Sequence, residues 1–320
     1  MNDFVLAGDL GGTNLRVAAI DDEGRMLARL EDETPRHTDD TRIIAGALRL
    51  AKECGDRIGR KPLGLGFALP AIMSGPEGRV FSSPNLPELN GSLIGPNLRE
   101  GLSMDVVLEN DANAAAIGEN WLGASQGSGD SICLTLGTGV GGGIILDGRP
   151  HRGPDGTAGE IGHVCVEPLG PRCGCGSNGC LEQFASATAV VRVAREIASD
   201  FSDTKVPLDN EFTALDLYNA GTLGDRLAVE VFRRVGYYLG IAIGGIVNVL
   251  NPEVVVLGGG MSGAWDLFIG ELKEEIMKRA FHEPAERARI VRAKLGSDAG
   301  LFGAARLAFA QGTRSIDQSH

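Results

Sequence analysis

Short apolar runs alternate along the chain with longer stretches in which apolar residues recur every third or fourth position. In the first third, Phe4–Gly8, Val17–Ile20, Leu63–Leu69 and Val106–Leu108 read as strands. Thr41–Cys54 (TRIIAGALRLAKEC) has the spacing of an amphipathic helix, and Ala112–Leu122, after the polar pair Asn110–Asp111, predicts another. Ser131–Leu136 and Gly143–Leu146 are again strands. The second half is richer in helix. Phe184–Ile197 is one, and a long one runs from about Arg226 to Leu250, with Phe232, Val235, Leu239, Ile243, Ile246 and Leu250 on one face. Asn251–Pro252 stops it. Strand Val254–Leu257, the turn Gly258–Gly259–Gly260 and a helix capped by Ser262 follow. Strands and helices in this order imply an α/β architecture.

Composition narrows the picture. A chain of 320 residues suits two domains. Glycine, 47 of 320, is about twice ordinary usage and gathers in turns between apolar runs. A net charge of −12 argues against a nucleic-acid surface, and leaves any phosphate to backbone N–H groups and a cation. The longest apolar stretch, Val235–Leu250, falls short of the roughly 18 residues of a membrane span, and MNDFVLAGDL lacks the features of a signal peptide. The expectation is a soluble, cytoplasmic protein with reduced thiols and no membrane partner.

One internal echo goes further. GDLGGTNLRVAAID (Gly8–Asp21) is answered 126 positions later by LTLGTGVGGGIILD (Leu134–Asp147). In each, a strand enters a Gly/Thr turn, a strand leaves it, and Asp closes the unit. Two unrelated hairpins would explain this, as would a duplicated α/β domain whose two hairpins face one cleft.

The turns offer chemistry. Gly11, Gly12 and Thr13, and again Gly137, Thr138 and Gly139, present unshielded N–H groups and a hydroxyl suited to a phosphate lying between them. Neither turn matches the P-loop or opens a helix as a dinucleotide fingerprint does. Asp9, beside the first turn, would repel a phosphate unless a cation intervened, which points to Mg²⁺ through water; a turn aspartate bonding its own backbone is the plainer alternative. In LENDANAAAIGEN (Leu108–Asn120), Asp111 either N-caps the helix at Ala112 or serves as the base for phosphoryl transfer. The small residues after it leave room for a ligand.

His163, Cys173, Cys175 and Cys180 space as H-x₉-C-x-C-x₄-C, a donor set for a closed structural zinc site, with Gly174, Gly176 and Gly179 supplying tight backbone. Cys165 has apolar neighbours and is left out. Glu160 and Glu182 bracket this knot, as acceptors for a polyhydroxylated ligand or as solvated surface charges.

Together DLGGTNLR, ENDANAAAIGE, LGTGVGGGI, GTAGEIGH and CGCGSNGCLE resemble the ROK family (repressor, open reading frame, kinase) of sugar kinases, from Asp9 to the C-terminal AGLFGAARLA. The resemblance implies a duplicated actin-like, ribonuclease-H-like ATPase fold with two domains around a cleft. It implies ATP-dependent phosphorylation of a hexose, glucose at the 6-hydroxyl first, then N-acetylmannosamine or N-acetylglucosamine. Asp111 would be the base. Asn85, Asn110, Glu160, His163 and Glu182 would contact the sugar; Asp9, Gly11, Gly12, Thr13 and Thr138 the phosphates; Gly259 and Gly260 the adenosine. Cofactors are then ATP, Mg²⁺ with the nucleotide, and structural Zn²⁺. The family also holds repressors with a DNA-binding domain ahead of the core; with the first turn starting at Asp9 there is no room for one, so a kinase is favoured over a sugar-sensing regulator. Gly66–Gly75 (GFALPAIMSG) departs from the glucokinases' GxPGxVD-type pattern at Ala71 and Met73. The expected domains are 1–115, completed by a C-terminal helix at about 300–320, and 116–300 with the zinc site. A homodimer or higher homo-oligomer is the expected assembly.

Overall fold

The structure, a computed structural model, describes residues 2–73, 78–208 and 211–317; Ser74 and Gly75 of the sugar-end loop lie outside the described residues. The first half runs β1 (Phe4–Leu10), β2 (Asn14–Asp21), β3 (Met26–Glu33), α1 (Asp40–Ile58), β4 (Leu65–Leu69), β5 (Ile72–Met73), β6 (Val80–Ser82), α2 (Ile94–Leu102), β7 (Val106–Asn110) and α3 (Asp111–Trp121). The second half runs β8 (Ser131–Leu136), β9 (Val140–Leu146), β10 (Arg149–Pro150), α4 (Glu182–Ala185), α5 (Ala187–Ile197) and α6 (Ala214–Thr222). It continues with α7 (Arg226–Leu250), β11 (Val254–Gly258), α8 (Trp265–Arg279), α9 (His282–Arg287), β12 (Arg289–Arg292) and α10 (Ala299–Asp317).

The two large sheets have one topology, β3-β2-β1-β4-β7 and β10-β9-β8-β11-β12. β1, β4 and β7 are parallel, as are β8, β11 and β12. β1 ends at Leu10 and β2 starts at Asn14; β8 ends at Leu136 and β9 starts at Val140, the same 126-residue offset as the sequence echo. The hairpins are therefore equivalent parts of a duplication. The chain has the duplicated actin-like ATPase fold, in two domains.

Burial explains the strand patterns. All seven residues of β1 are buried because the sheet is covered on both faces, which turns a strand into a continuous apolar run. Ile43, Ala47, Leu50 and Cys54 of α1 join one core with Leu6, Leu15 and Phe67. Leu301, Ala304, Ala305 and Ala308 of α10 join another with Val5, Ala7, Ala18 and Ile20. α10 also lies on α3 with almost no space between backbones. A Cβ on Gly303 would sit 1.7 Å from the Ala114 carbonyl oxygen, and one on Gly118 2.2 Å from that of Ala299.

Contacts divide the chain into a unit of 1–129, 143–159 and 294–320 and a unit of 130–142 and 160–293. The boundary expected at 115 falls inside α3, which belongs whole to the first unit. Glu119, buried on that helix, accepts from Ala124 N–H at 2.7 Å, Lys294 N–H at 3.0 Å and Leu295 N–H at 2.8 Å, holding the start of the last segment.

Two helices differ from expectation. Phe184–Ile197 is not continuous: Ser186 is extended (φ −90°, ψ 162°), and its hydroxyl oxygen caps α5 by accepting from Ala189 N–H. Ser262 caps no α-helix. Its hydroxyl donates to the Gly259 carbonyl at 2.7 Å inside a 3₁₀ stretch, Gly260–Ala264, and α8 begins only at Trp265. Among the described residues no helix is long and apolar enough to cross a membrane.

Candidate functional site

In the first unit, the β7–α3 junction carries the ENDAN residues. Asn110 is extended (φ −62°, ψ 144°) and its Oδ1 accepts from Ala112 and Asn113 N–H at 3.0 and 3.2 Å, so the helix cap is Asn110. Asp111 is the first helical residue, where a carboxylate is stabilised by the helix dipole. Ala112, Ala114, Ala115 and Ala116 are buried. Gly143 packs closely on this run: a Cβ on it would meet Ala116 Cβ at 2.5 Å and the Ala112 carbonyl oxygen at 2.9 Å.

Just before them, Glu109 is a buried carboxylate bonded to Arg152 Nε at 2.7 Å. A cavity of about 1190 Å³ opens here, bounded by Ala71, Met73, Glu109, Asn110, Trp121 and Arg152 among others. Asn85 is exposed, and its loop is tied to the Gly66–Gly75 segment through Ser83, whose hydroxyl donates to the Pro70 carbonyl at 2.7 Å.

At the first turn, Gly11 N–H closes on the Asn14 carbonyl at 2.8 Å, and the Thr34 hydroxyl donates to the Gly11 carbonyl at 2.7 Å. Gly12 and Thr13 N–H donate to no partner among the described residues. Asp9 is buried and hydrogen-bonded to Arg16, whose Nη1 also donates to the Ser297 carbonyl at 2.8 Å. The cation that the sequence asked for beside Asp9 is thus partly supplied by the chain. Burial still pushes the Asp9 carboxyl above its usual range, against the opposing pull of Arg16.

In the second unit, the turn at 137–139 is held from behind. Ala187 N–H donates to the Gly137 carbonyl at 2.7 Å and the Thr188 hydroxyl to that of Thr138 at 3.0 Å. Beside it lies a cavity of about 550 Å³ lined by Thr138, Thr188, Arg195, Phe212 and Thr213. Glu182, at the start of α4, accepts from Val140 N–H at 3.1 Å. A Cβ on Gly139 would lie 2.4 Å from its Oε2, so a larger residue there would displace the Glu182 carboxylate. Gly259 has φ +78°, and a Cβ on it would strike the Leu136 carbonyl; Gly260 has open space around it.

His163, Cys173, Cys175 and Cys180 converge, with all four ligand atoms within 4.8 Å of one another. His163 Nδ1 is 3.6 Å from Cys173 Sγ, and Cys175 Sγ is 3.6 Å from Cys180 Sγ. Tetrahedral zinc with bonds of about 2.3 Å would space its sulfurs about 3.8 Å apart, so the set fits. All six cysteines are free thiols. Cys165 pairs by backbone with Cys180 in an isolated β-bridge and stays outside the set. With Nδ1 turned to the thiols, His163 Nε2 lies 3.9 Å from Glu160 Oε2, so the ring's nitrogens face different partners.

Sequence reasoning did not find Glu109, Arg152, Arg16 or Thr188. Arg16 closes the DLGGTNLR motif and Glu109 opens ENDAN, so position within a motif was the available signal for those two.

A duplicated α/β chain with an actin-like fold, two equivalent glycine turns and a Cys₃His knot defines a narrow class. The ROK family model matches residues 5–311, and the chain belongs to the ROK family. It is 35% identical over 303 residues to the glucokinase of Thermotoga maritima, covering 93% of this chain and 95% of that protein. The crystal structure of a ROK family glucokinase from Streptomyces griseus in complex with glucose and AMPPNP superposes with a TM-score of 0.81 at 31% identity, covering 96% of this chain and 99% of that one. The chain is also 30% identical over 307 residues to the DNA-binding transcriptional dual regulator NagC of Escherichia coli, covering 95% of this chain and 75% of that protein.

Proposed function

We propose that this protein is a sugar kinase that transfers the terminal phosphoryl group of ATP to a hexose, glucose at its 6-hydroxyl first. The observation that carries the reading is the β7–α3 junction. Asn110 caps the helix at Ala112 and Asn113, with Asp111 Oδ1 sharing the Ala112 N–H at 2.9 Å, and a carboxylate at such a strand-to-helix turn suits a base. The glucokinase relatives support the same substrate.

In this mechanism an Asp111 oxygen accepts the proton of the attacking hydroxyl as its oxygen bonds to phosphorus, and the bond to the ADP oxygen breaks. Asn85, Asn110, Glu160, His163 and Glu182 orient the sugar. Gly12, Thr13, Thr138 and Gly139 would donate N–H groups to the phosphates, while Gly11 and Gly137, whose N–H groups close the two turns on the Asn14 and Gly139 carbonyls, shape the loops. The cavity beside Thr138, with Gly259 and Gly260, takes the nucleoside. Mg²⁺ accompanies the nucleotide and neutralises phosphate charge; Asp9, already engaged by Arg16, would face it through water. His163, Cys173, Cys175 and Cys180 would hold one Zn²⁺, which contributes to folding and fixes His163 beside Glu160.

Two alternatives have specific support. The departure of the sugar-end loop from the glucokinase pattern at Ala71 and Met73 favours an N-acetylhexosamine. The likeness to NagC favours a sugar-sensing regulator without turnover. ADP release measured across hexoses and N-acetylhexosamines separates all three. Turnover fastest with glucose supports the proposal; turnover fastest with an N-acetylhexosamine moves the substrate; sugar binding with no ADP release leaves the regulator.

A further inference from the structure

Glu109, in the next-to-last position of β7, is an acidic residue only 5% exposed. Its oxygens divide their work. Oε1 accepts from the Asn110 N–H at 3.1 Å and from Asn113 Nδ2 at 3.3 Å, both at the first turn of α3. Oε2 accepts from Arg152, at 2.7 Å from Nε and 2.5 Å from Nη2. The Arg152 carbonyl in turn accepts from Ala158 N–H at 3.0 Å, closing the loop 152–158, and Asp155 stiffens that loop by accepting from the Thr157 hydroxyl at 2.7 Å. Glu160 follows two residues later.

One buried carboxylate thus joins the segment that presents Asp111 to the loop that leads into Glu160 and His163. We infer that Glu109 is a positioning residue serving both: it fixes the first turn of α3 through Asn110 and Asn113, and it fixes the sugar loop through Arg152. The inference rests on the kinase reading above. A residue that only stabilised the fold would affect melting and leave sugar affinity alone. A residue that aims the sugar loop changes affinity even where the fold is intact.

The full-length protein tests this with glucose, using calorimetry without nucleotide, steady-state kinetics and thermal melting. Glu109→Gln keeps an oxygen for the α3 turn and removes the charge that holds Arg152; Arg152→Ala removes the partner. Each should raise the glucose Kd and KM about tenfold, within the range found for directly coupled residues, while kcat stays within about threefold. The double variant should be no worse than the weaker single one, because both break one link. Glu109→Ala also releases Asn110 and Asn113 and should lower kcat as well; if that variant does not fold, the other three decide.

Glucose Kd within twofold of wild type in both Glu109→Gln and Arg152→Ala overturns the inference, whatever their melting temperatures, and so do additive effects in the double variant. A wild-type protein that binds glucose without turning it over ends the kinase reading, while the Kd comparison still judges Glu109. A wild-type protein that binds no glucose overturns both.

Discussion

Asn110 caps the helix that Asp111 begins, and the two share the Ala112 N–H, at 3.0 Å from Asn110 Oδ1 and 2.9 Å from Asp111 Oδ1, an oxygen that an asparagine at 111 would keep. Asp111→Asn should therefore leave melting nearly unchanged. It should lower kcat by about 10² to 10⁴, roughly 3 to 5 kcal/mol of barrier. Asn110→Ala should instead cost about 1 kcal/mol of stability. Activity of Asp111→Asn within about threefold of wild type would place the base elsewhere.

Metal analysis of the purified protein should find one zinc per chain. Removing it with a chelator should lower the melting temperature and raise glucose KM, because His163 stands between the thiols and Glu160. A zinc-free protein with full stability, or a disulfide among Cys173, Cys175 and Cys180, would refute the site.

Arg16 and Asp9 form a buried pair, with side chains 16% and 9% exposed. Truncating one partner of such a pair leaves a stranded charge, so Arg16→Ala should destabilise by about 3 to 5 kcal/mol in urea titrations. Asp9→Asn preserves a hydrogen-bonding oxygen for Arg16. It should reduce Mg·ATP-dependent turnover much more than glucose affinity; the opposite pattern would remove Asp9 from the phosphate region.

Asp225 caps α7, accepting from Ala228 N–H at 3.1 Å, Lys205 N–H at 2.6 Å and the Thr204 hydroxyl. Burial alone would raise its pKa, but these donors overcome it and hold the carboxyl below its ordinary range. Its stabilising effect is then complete above the unfolded-state value of about 3.9 and is lost as pH falls through the lower folded-state value. Asp225→Asn should melt below wild type at pH 7, with the gap closing toward pH 3. A gap that persists or widens in acid would show that the charge contributes nothing.

Gly303→Ala should be among the most damaging single-methyl changes in the chain. The added carbon has only the Ala114 carbonyl to meet, and relief requires moving α10 off α3. A loss of at least about 2 kcal/mol is expected, with kcat falling because α3 carries Asp111. Unchanged stability would mean that the helices separate easily.

The duplication was legible in the sequence because equivalent turns of glycine and threonine, each between two apolar strands and closed by Asp, stand at one offset, and the Cys₃His knot because ligand chemistry permits few substitutes. Other features were hidden by physics that acts beyond local pattern. β3 (MLARLEDE) is at most half-buried, so its polar residues mask the strand. The break at Ser186 leaves the apolar stripe of Phe184, Ala185, Ala189, Val190 and Val193 uninterrupted, so periodicity runs through it. The link from Glu109 to Arg152 spans 43 residues, and no local window contains both ends.

α10 covers the sheet face formed by Val5, Ala7, Ala18 and Ile20, which precedes it by about 280 residues along the chain. A nascent chain therefore carries that apolar face open until α10 has been translated, and contacts of such long separation are slow to form. A product terminated near residue 290 would retain every motif assigned here to sugar, phosphate and zinc while exposing a strand surface built to be covered. Such a fragment is a substrate for chaperones and proteases rather than a weak enzyme, so for this chain the quality of translation and the yield of folded protein are coupled through α10.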